Sequence, residues 1–90
     1  MTKALISVTG IDTTGIIAGV ATKLSELNIN ILEITQTILD GYFTMMMVVD
    51  LDGAKMDFAR INEELETVRK MLKLDIHMRR MDIFDAMHRI

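Results

Sequence analysis

The dipeptide Asp40-Gly41 sits between two long apolar, β-branched runs, and this arrangement constrains the chain more than any other feature of it. Both residues tolerate positive φ, so together they suit a two-residue turn whose twist matches that of paired strands. The flanking runs, Ile29 to Leu39 and Tyr42 to about Leu51, then form the arms of one hairpin. Asp52-Gly53 ends the second arm, again with turn-forming residues.

The same strand–helix reading recurs on each side of the hairpin. Lys3 to Thr9 is a β-branched, apolar stretch that stops at Gly10 and predicts a first strand. A turn-rich loop, Ile11 to Gly15, leads into a helix with Ile16, Ile17, Val20, Ala21, Leu24 and Leu27 spaced by threes and fours. Thr13 or Thr14 suits its cap, because a side-chain oxygen there satisfies the free N–H groups of the first turn. Asn28 suits its stop. Beyond the hairpin, Asp57 is expected to cap a second helix that buries Phe58, Ile61, Leu65, Val68 and Leu72. Its bases Arg69, Lys70 and Lys73 fall late, where the helix dipole favours positive charge. Leu74 to Met81 alternates apolar with polar, as a half-buried strand does, and a short helical turn is expected after Asp82.

The element order is β-α-β-β-α-β with a tail. Its economical solution is an α+β, ferredoxin-like sandwich: a four-stranded antiparallel sheet with two helices on one face and a short C-terminal helix. The crossovers place the first and third strands centrally and the second and fourth at the edges. No linker or repeat interrupts residues 1–90, which read as a single domain with a helical tail over about 82–90.

Charge and composition exclude several functions. Ten Lys+Arg against thirteen Asp+Glu leaves a net charge of −3, and aromatic residues are 4% of the chain, so neither phosphate attraction nor base stacking is provided. Nucleic-acid binding is not expected. The absence of cysteine removes disulfides, thiolate zinc sites and thiol nucleophiles together. The longest strongly apolar run, Ile16 to Ala21, is far short of a membrane span, and Ser7, Thr9 and Gly10 interrupt any signal-like stretch after Lys3. A soluble, cytoplasmic chain is expected.

Half the residues are apolar, a surplus for so small a body. In the third strand Phe43, Met45, Met47, Val49 and Leu51 share one face while Tyr42, Met46 and Val48 occupy the other. In the second strand, simple alternation sets Ile29 and Ile31 against Leu32, Ile34 and Ile38. A sheet covered on one face alternates more cleanly. Part of the second face is therefore expected to be covered, by the tail, by a second subunit or by both, and a homodimer is the preferred expectation.

Groups for covalent chemistry are few. Ser7 lies in a strand and Ser25 on a helix, with no nucleophile–base pairing evident, so no enzyme activity and no cofactor are expected. Asp85 and His88 at helical i, i+3 spacing are two ligands on a terminal turn, better read as a solvated edge than a metal site. Met45, Met46 and Met47 alternate faces in a strand and cannot converge on one metal.

The loop Gly10-Ile11-Asp12-Thr13-Thr14-Gly15-Ile16 stands apart. It joins a strand to a helix N-terminus, where unpaired N–H groups favour a carboxylate. Gly10 and Gly15 carry no side chains, which permits close approach, and Asp12 complements an ammonium group. Asn30, at the start of the second strand, adds an amide. The alternative is that the glycines make the turn and Asp12 caps the helix.

Val8 to Val20 resembles the strand–loop–helix signature of ACT domains, and Asn28-Ile29-Asn30-Ile31 is similar to their second-strand entry. The hairpin Ile34 to Met46 and the segment Ile83-Phe84-Asp85-Ala86-Met87 resemble the small stand-alone ACT-domain proteins of bacteria and archaea. These are related to the ACT domains of the glycine-cleavage-system transcriptional repressor. The resemblance implies a regulatory module that binds a small molecule, most often an amino acid, at the interface of a homodimer and modulates a metabolic enzyme or regulator. Carried onto this chain, the ligand-binding residues are Gly10, Asp12, Thr13, Thr14, Gly15 and Ile16 with Asn30 and Ile31. Many ACT loops have Arg-Pro after the aspartate, where this chain has Thr13-Thr14, so its loop is less rigid and less positive. The competing expectation is a protein–protein interaction module that binds no ligand and uses its apolar sheet face.

Overall fold

The computed structural model describes residues 2–11 and 13–81, with residues 13 and 14 described in their backbone only. The expected C-terminal helix, with Asp85 and His88, lies outside the described residues.

Six elements follow in the anticipated order: β1 (Lys3–Gly10), α1 (Thr13–Glu26), β2 (Asn30–Leu39), β3 (Tyr42–Asp50), α2 (Phe58–Leu72) and β4 (Asp75–Arg80). The strands form one antiparallel sheet in the order β2-β3-β1-β4, so β1 and β3 are central. Asp40 and Gly41 adopt φ of 52° and 81°, the left-handed pair that a tight hairpin needs. Asp57 caps α2 by accepting a hydrogen bond from the Arg60 backbone N–H at 2.9 Å. Asn28 ends α1 with φ of 59°, and the Ile29 N–H donates back to the Leu24 carbonyl at 2.9 Å. The Asn28 side-chain amide also donates to the Gly53 carbonyl at 2.8 Å, tying the α1–β2 corner to the β3–α2 loop.

The core is the helix-facing side of the sheet. Ala4, Ile6 and Val8 of β1 and Phe43, Met45, Met47 and Val49 of β3 are all buried there. Ile16, Val20, Leu24 and Leu27 from α1 and Ile61, Leu65 and Val68 from α2 close over them. The buried stripe of α1 is narrower than its spacing suggests, since Ile17 and Ala21 lie on an exposed flank. Met45 and Met47 face the core and Met46 the opposite side, as strand geometry requires.

One strand departs from simple alternation. The β2–β3 register shifts between Ile31 and Glu33, making Leu32 an extra residue. Ile34 then pairs with Met47 and Ile38 with Phe43, which sets both on the helix side and not on the open face. They remain 44% and 67% exposed because β2 is the outermost strand and the helix layer covers little of it. The open face carries the half-buried Leu5 and Val48 with the exposed Met46 and Tyr42.

Candidate functional site

The strand registers locate each residue expected at the site. Gly10 pairs with Phe43, and Phe43 with Ile38, so the β1–α1 loop leaves one end of the sheet. Asn30 pairs with Asp50, and Asp50 with Lys3, at the other end. Seven residue steps along β1, from Lys3 to Gly10, separate those rows, or about 23 Å at the rise of a strand. Within one copy the loop residues and the pair Asn30 and Ile31 are therefore not brought together.

At the loop end, Gly10 is buried and its bare Cα is already occupied by the fold. A Cβ there would stand 2.6 Å from Ile16 Cδ1 and 3.3 Å from Leu74 Cβ. Gly10 thus lets the first turn of α1 close over β1 and does not clear space for a ligand. Ile16 is 3% exposed, so its side chain belongs to the core and only its backbone N–H faces the helix N-terminus. Gly15 differs: a Cβ on it would meet nothing within 4 Å, leaving the first turn of the helix open to approach. Thr13 and Thr14 begin α1, and Asp12 lies outside the described residues. At the far end, Asn30 is exposed and Ile31 half-buried, beside a cleft of about 350 Å³ between β2 and the C-terminal half of α1.

The fold brings to the loop a set of residues whose sequence positions point only to the helix dipole. Because α2 runs antiparallel to α1, its C-terminal turn stands beside Gly10 and Ile11. A cleft of about 470 Å³ opens between them. Thr9, Gly10, Ile11 and Tyr42 line the sheet side, and Arg69, Lys70, Lys73, Leu74 and Asp75 the helix side. Arg69 donates to Glu66 through Nε at 2.8 Å and through a terminal guanidinium nitrogen. Those hydrogen bonds hold the Glu66 carboxyl below the usual carboxylate value and raise Arg69 further, with Lys70 adding a weaker pull on Glu66. Lys70 and Lys73 themselves make no ion pair among the described residues. The signal was present in the element order, which returns α2 to the Gly10 end of the sheet.

Among the described residues no group of three or more His, Cys, Asp or Glu side chains is placed to hold a metal ion. No described helix is long and apolar enough to cross a membrane.

The family model for the ACT domain matches residues 2–79. A UPF0237 protein of Listeria innocua is 47% identical over 88 residues, covering 98% of this chain and 99% of its own length. An ACT domain protein from Streptococcus pneumoniae superposes with a TM-score of 0.83 at 46% identity, covering 92% of this chain and 93% of that one. The regulatory subunit of aspartate kinase from Thermus thermophilus, in its ligand-free form, gives a TM-score of 0.67 at 28% identity over 87% of this chain and 50% of that one. The chain belongs to the ACT domain family and, within it, to the UPF0237 proteins. The family and its structural neighbours support a regulatory role for it.

Proposed function

We propose that this protein is a cytoplasmic regulatory module that senses an amino acid at the interface of a homodimer and relays that state to a metabolic enzyme or regulator. It needs no catalytic residue or cofactor of its own. The observation that carries the reading is the separation of the two halves of the expected site by the length of the sheet. A second copy resolves it. β2 is a ten-residue strand with an unpaired outer edge, the kind of edge that readily accepts another strand. Two copies paired antiparallel along β2 run in opposite directions, so Asn30 and Ile31 of one copy lie toward the sheet end from which β1 of the other leads into α1. The proposed site joins that pair to Gly10, Asp12, Thr13, Thr14, Gly15 and Ile16 of the other copy. The zwitterionic head of the ligand then meets the N–H groups of the α1 first turn and the Asp12 carboxylate, with Asn30 closing the site from across the interface. A ligand that bridges two copies favours the dimer by mass action.

The exposed Leu32, Ile34 and Ile38 supply apolar contact beside that edge. Ile38→Lys is expected to change the stability of the isolated copy by no more than about 0.5 kcal/mol, because the side chain is already exposed. It should nevertheless shift the sedimentation equilibrium from dimer to monomer and abolish any amino-acid response. An unchanged dimer would contradict pairing along β2.

The open face favours a second reading, an interaction module without a ligand, because Met46 is 42% and Tyr42 53% exposed beside Leu5 and Val48. Under that reading Met46→Lys disrupts partner binding while Ile38→Lys leaves it intact.

A further inference from the structure

The cationic cleft beside the loop narrows the class of ligand. Three cationic side chains, Arg69, Lys70 and Lys73, line it against the single carboxylate of Asp75, in a protein whose net charge is −3. That is a local reversal of sign. Elsewhere on the two helices the cations are matched: Lys23 lies 3.3 Å from Glu64 and 3.7 Å from Glu26, and Arg60 lies 3.7 Å from Glu63. Arg69 is matched by Glu66. Lys70 and Lys73 are the exceptions on α2 and its cap, and both are exposed to whatever enters the cleft.

The backbone that carries the lysines is fixed by the helix end. Lys73 is the C-cap residue, with φ of 55°, and its backbone N–H donates to the Arg69 carbonyl. Leu74 follows with a second hydrogen bond to that carbonyl at 3.2 Å. The turn that carries both lysines is therefore anchored on one wall of the cleft, across from Thr9 and Tyr42. A volume of about 470 Å³ suits a small molecule. Gly10 and Ile11 belong both to this cleft and to the loop expected to hold the amino-acid head, which places the cleft next to that loop.

We infer that the ligand carries a second negative charge, a carboxylate or a phosphate, which the Lys70 and Lys73 ammonium groups bind. This rests on the sensing reading for the zwitterionic head, while the cleft itself accounts for the extra anion. Neutral amino acids leave both lysines without a partner, whereas an acidic side chain supplies charge-assisted hydrogen bonds.

The test is calorimetric titration of the wild-type protein and of the double variant Lys70→Gln/Lys73→Gln. The ligands are L-glutamate, L-glutamine, O-phospho-L-serine, succinate and inorganic phosphate. The expected result is that L-glutamate or O-phospho-L-serine binds at least ten-fold more tightly than L-glutamine, with an advantage that weakens at high salt and disappears in the double variant. The tighter of the two acidic ligands identifies carboxylate or phosphate as the anion. The double variant should remain cooperatively folded with a midpoint lowered by at most a few degrees, since neither lysine is buried or ion-paired among the described residues and only their attraction to the helix C-terminus is lost. Equal affinity for L-glutamate and L-glutamine, or a preference that survives the double substitution, would overturn the inference while leaving amino-acid sensing intact. Binding of succinate or phosphate through the two lysines, with no amino acid bound, would support the anionic cleft and sink the sensing reading. No binding by any of the five would overturn it.

Discussion

Phe43→Ala is expected to cost about 3–5 kcal/mol, the range for emptying a buried aromatic site that collapses only in part. A domain of this size has about 5–10 kcal/mol in total, so the variant should unfold roughly 15 °C or more below the wild type. The reason is position as much as size. Phe43 is 2% exposed, the largest of the fully buried side chains among the described residues, and it is the second residue of β3, directly opposite Gly10 and Ile38. It therefore fills the core under the same sheet end where Gly10 admits Ile16 and Leu74. Thermal and urea unfolding check the magnitude, with Phe43→Leu as a control that retains most of the volume and should cost less than about 1.5 kcal/mol. A cost below about 1 kcal/mol for the alanine variant would place the core elsewhere.

The second large effect is on ligand-linked stability. An amino acid present at one hundred times its dissociation constant adds about 2.7 kcal/mol to a protein that binds it only when folded. In a domain this small that raises the unfolding midpoint by roughly ten degrees or more. A thermal scan against each common amino acid at millimolar concentration should therefore single out one chemical class, at fixed protein concentration because dimerisation also moves the midpoint. Asp12→Ala removes the carboxylate expected to hold the ammonium group and should abolish the shift, while the unliganded stability falls by no more than the loss of a helix cap, about 0.5–2 kcal/mol. A shift that survives Asp12→Ala would remove that residue from the account, and a flat panel would leave the interaction-module reading in its place.

Much of the fold was legible because particular residues carry unambiguous local physics. Asp40-Gly41 announced the hairpin, Asp57 the start of α2, and Asn28 the end of α1, and each adopts the backbone conformation expected of it. The bulge at Leu32 was not legible. No glycine or proline marks it, and Leu32 and Ile34 are apolar whichever face they take, so the alternation could be continued in the wrong phase. Gly10 shows a different limit: a glycine that clears room for a ligand and one that clears room for a neighbouring side chain look the same in sequence, and only Ile16 and Leu74 decide between them. The cluster of Arg69, Lys70 and Lys73 was visible as residues but not as a wall of a cleft, because its second wall comes from Thr9 and Tyr42, far away in the chain. The site residues themselves were named from local motifs, and their distance across the sheet emerges only from strand register.

The composite nature of the site is the central claim, and mixing two silent variants tests it most directly. Asp12→Ala disables the loop half and Asn30→Ala the strand half, so neither variant alone should bind an amino acid. When the two are unfolded together and refolded as a mixture, half of the dimers combine one copy of each. Each such heterodimer holds one intact site, built from Asn30 of one copy and Asp12 of the other, and one site that lacks both groups. Titration of the mixture should then recover about a quarter of the wild-type sites at wild-type affinity, as two-fold pairing dictates. A mixture as silent as its components, or full binding by Asn30→Ala alone, would contradict a site shared between two copies.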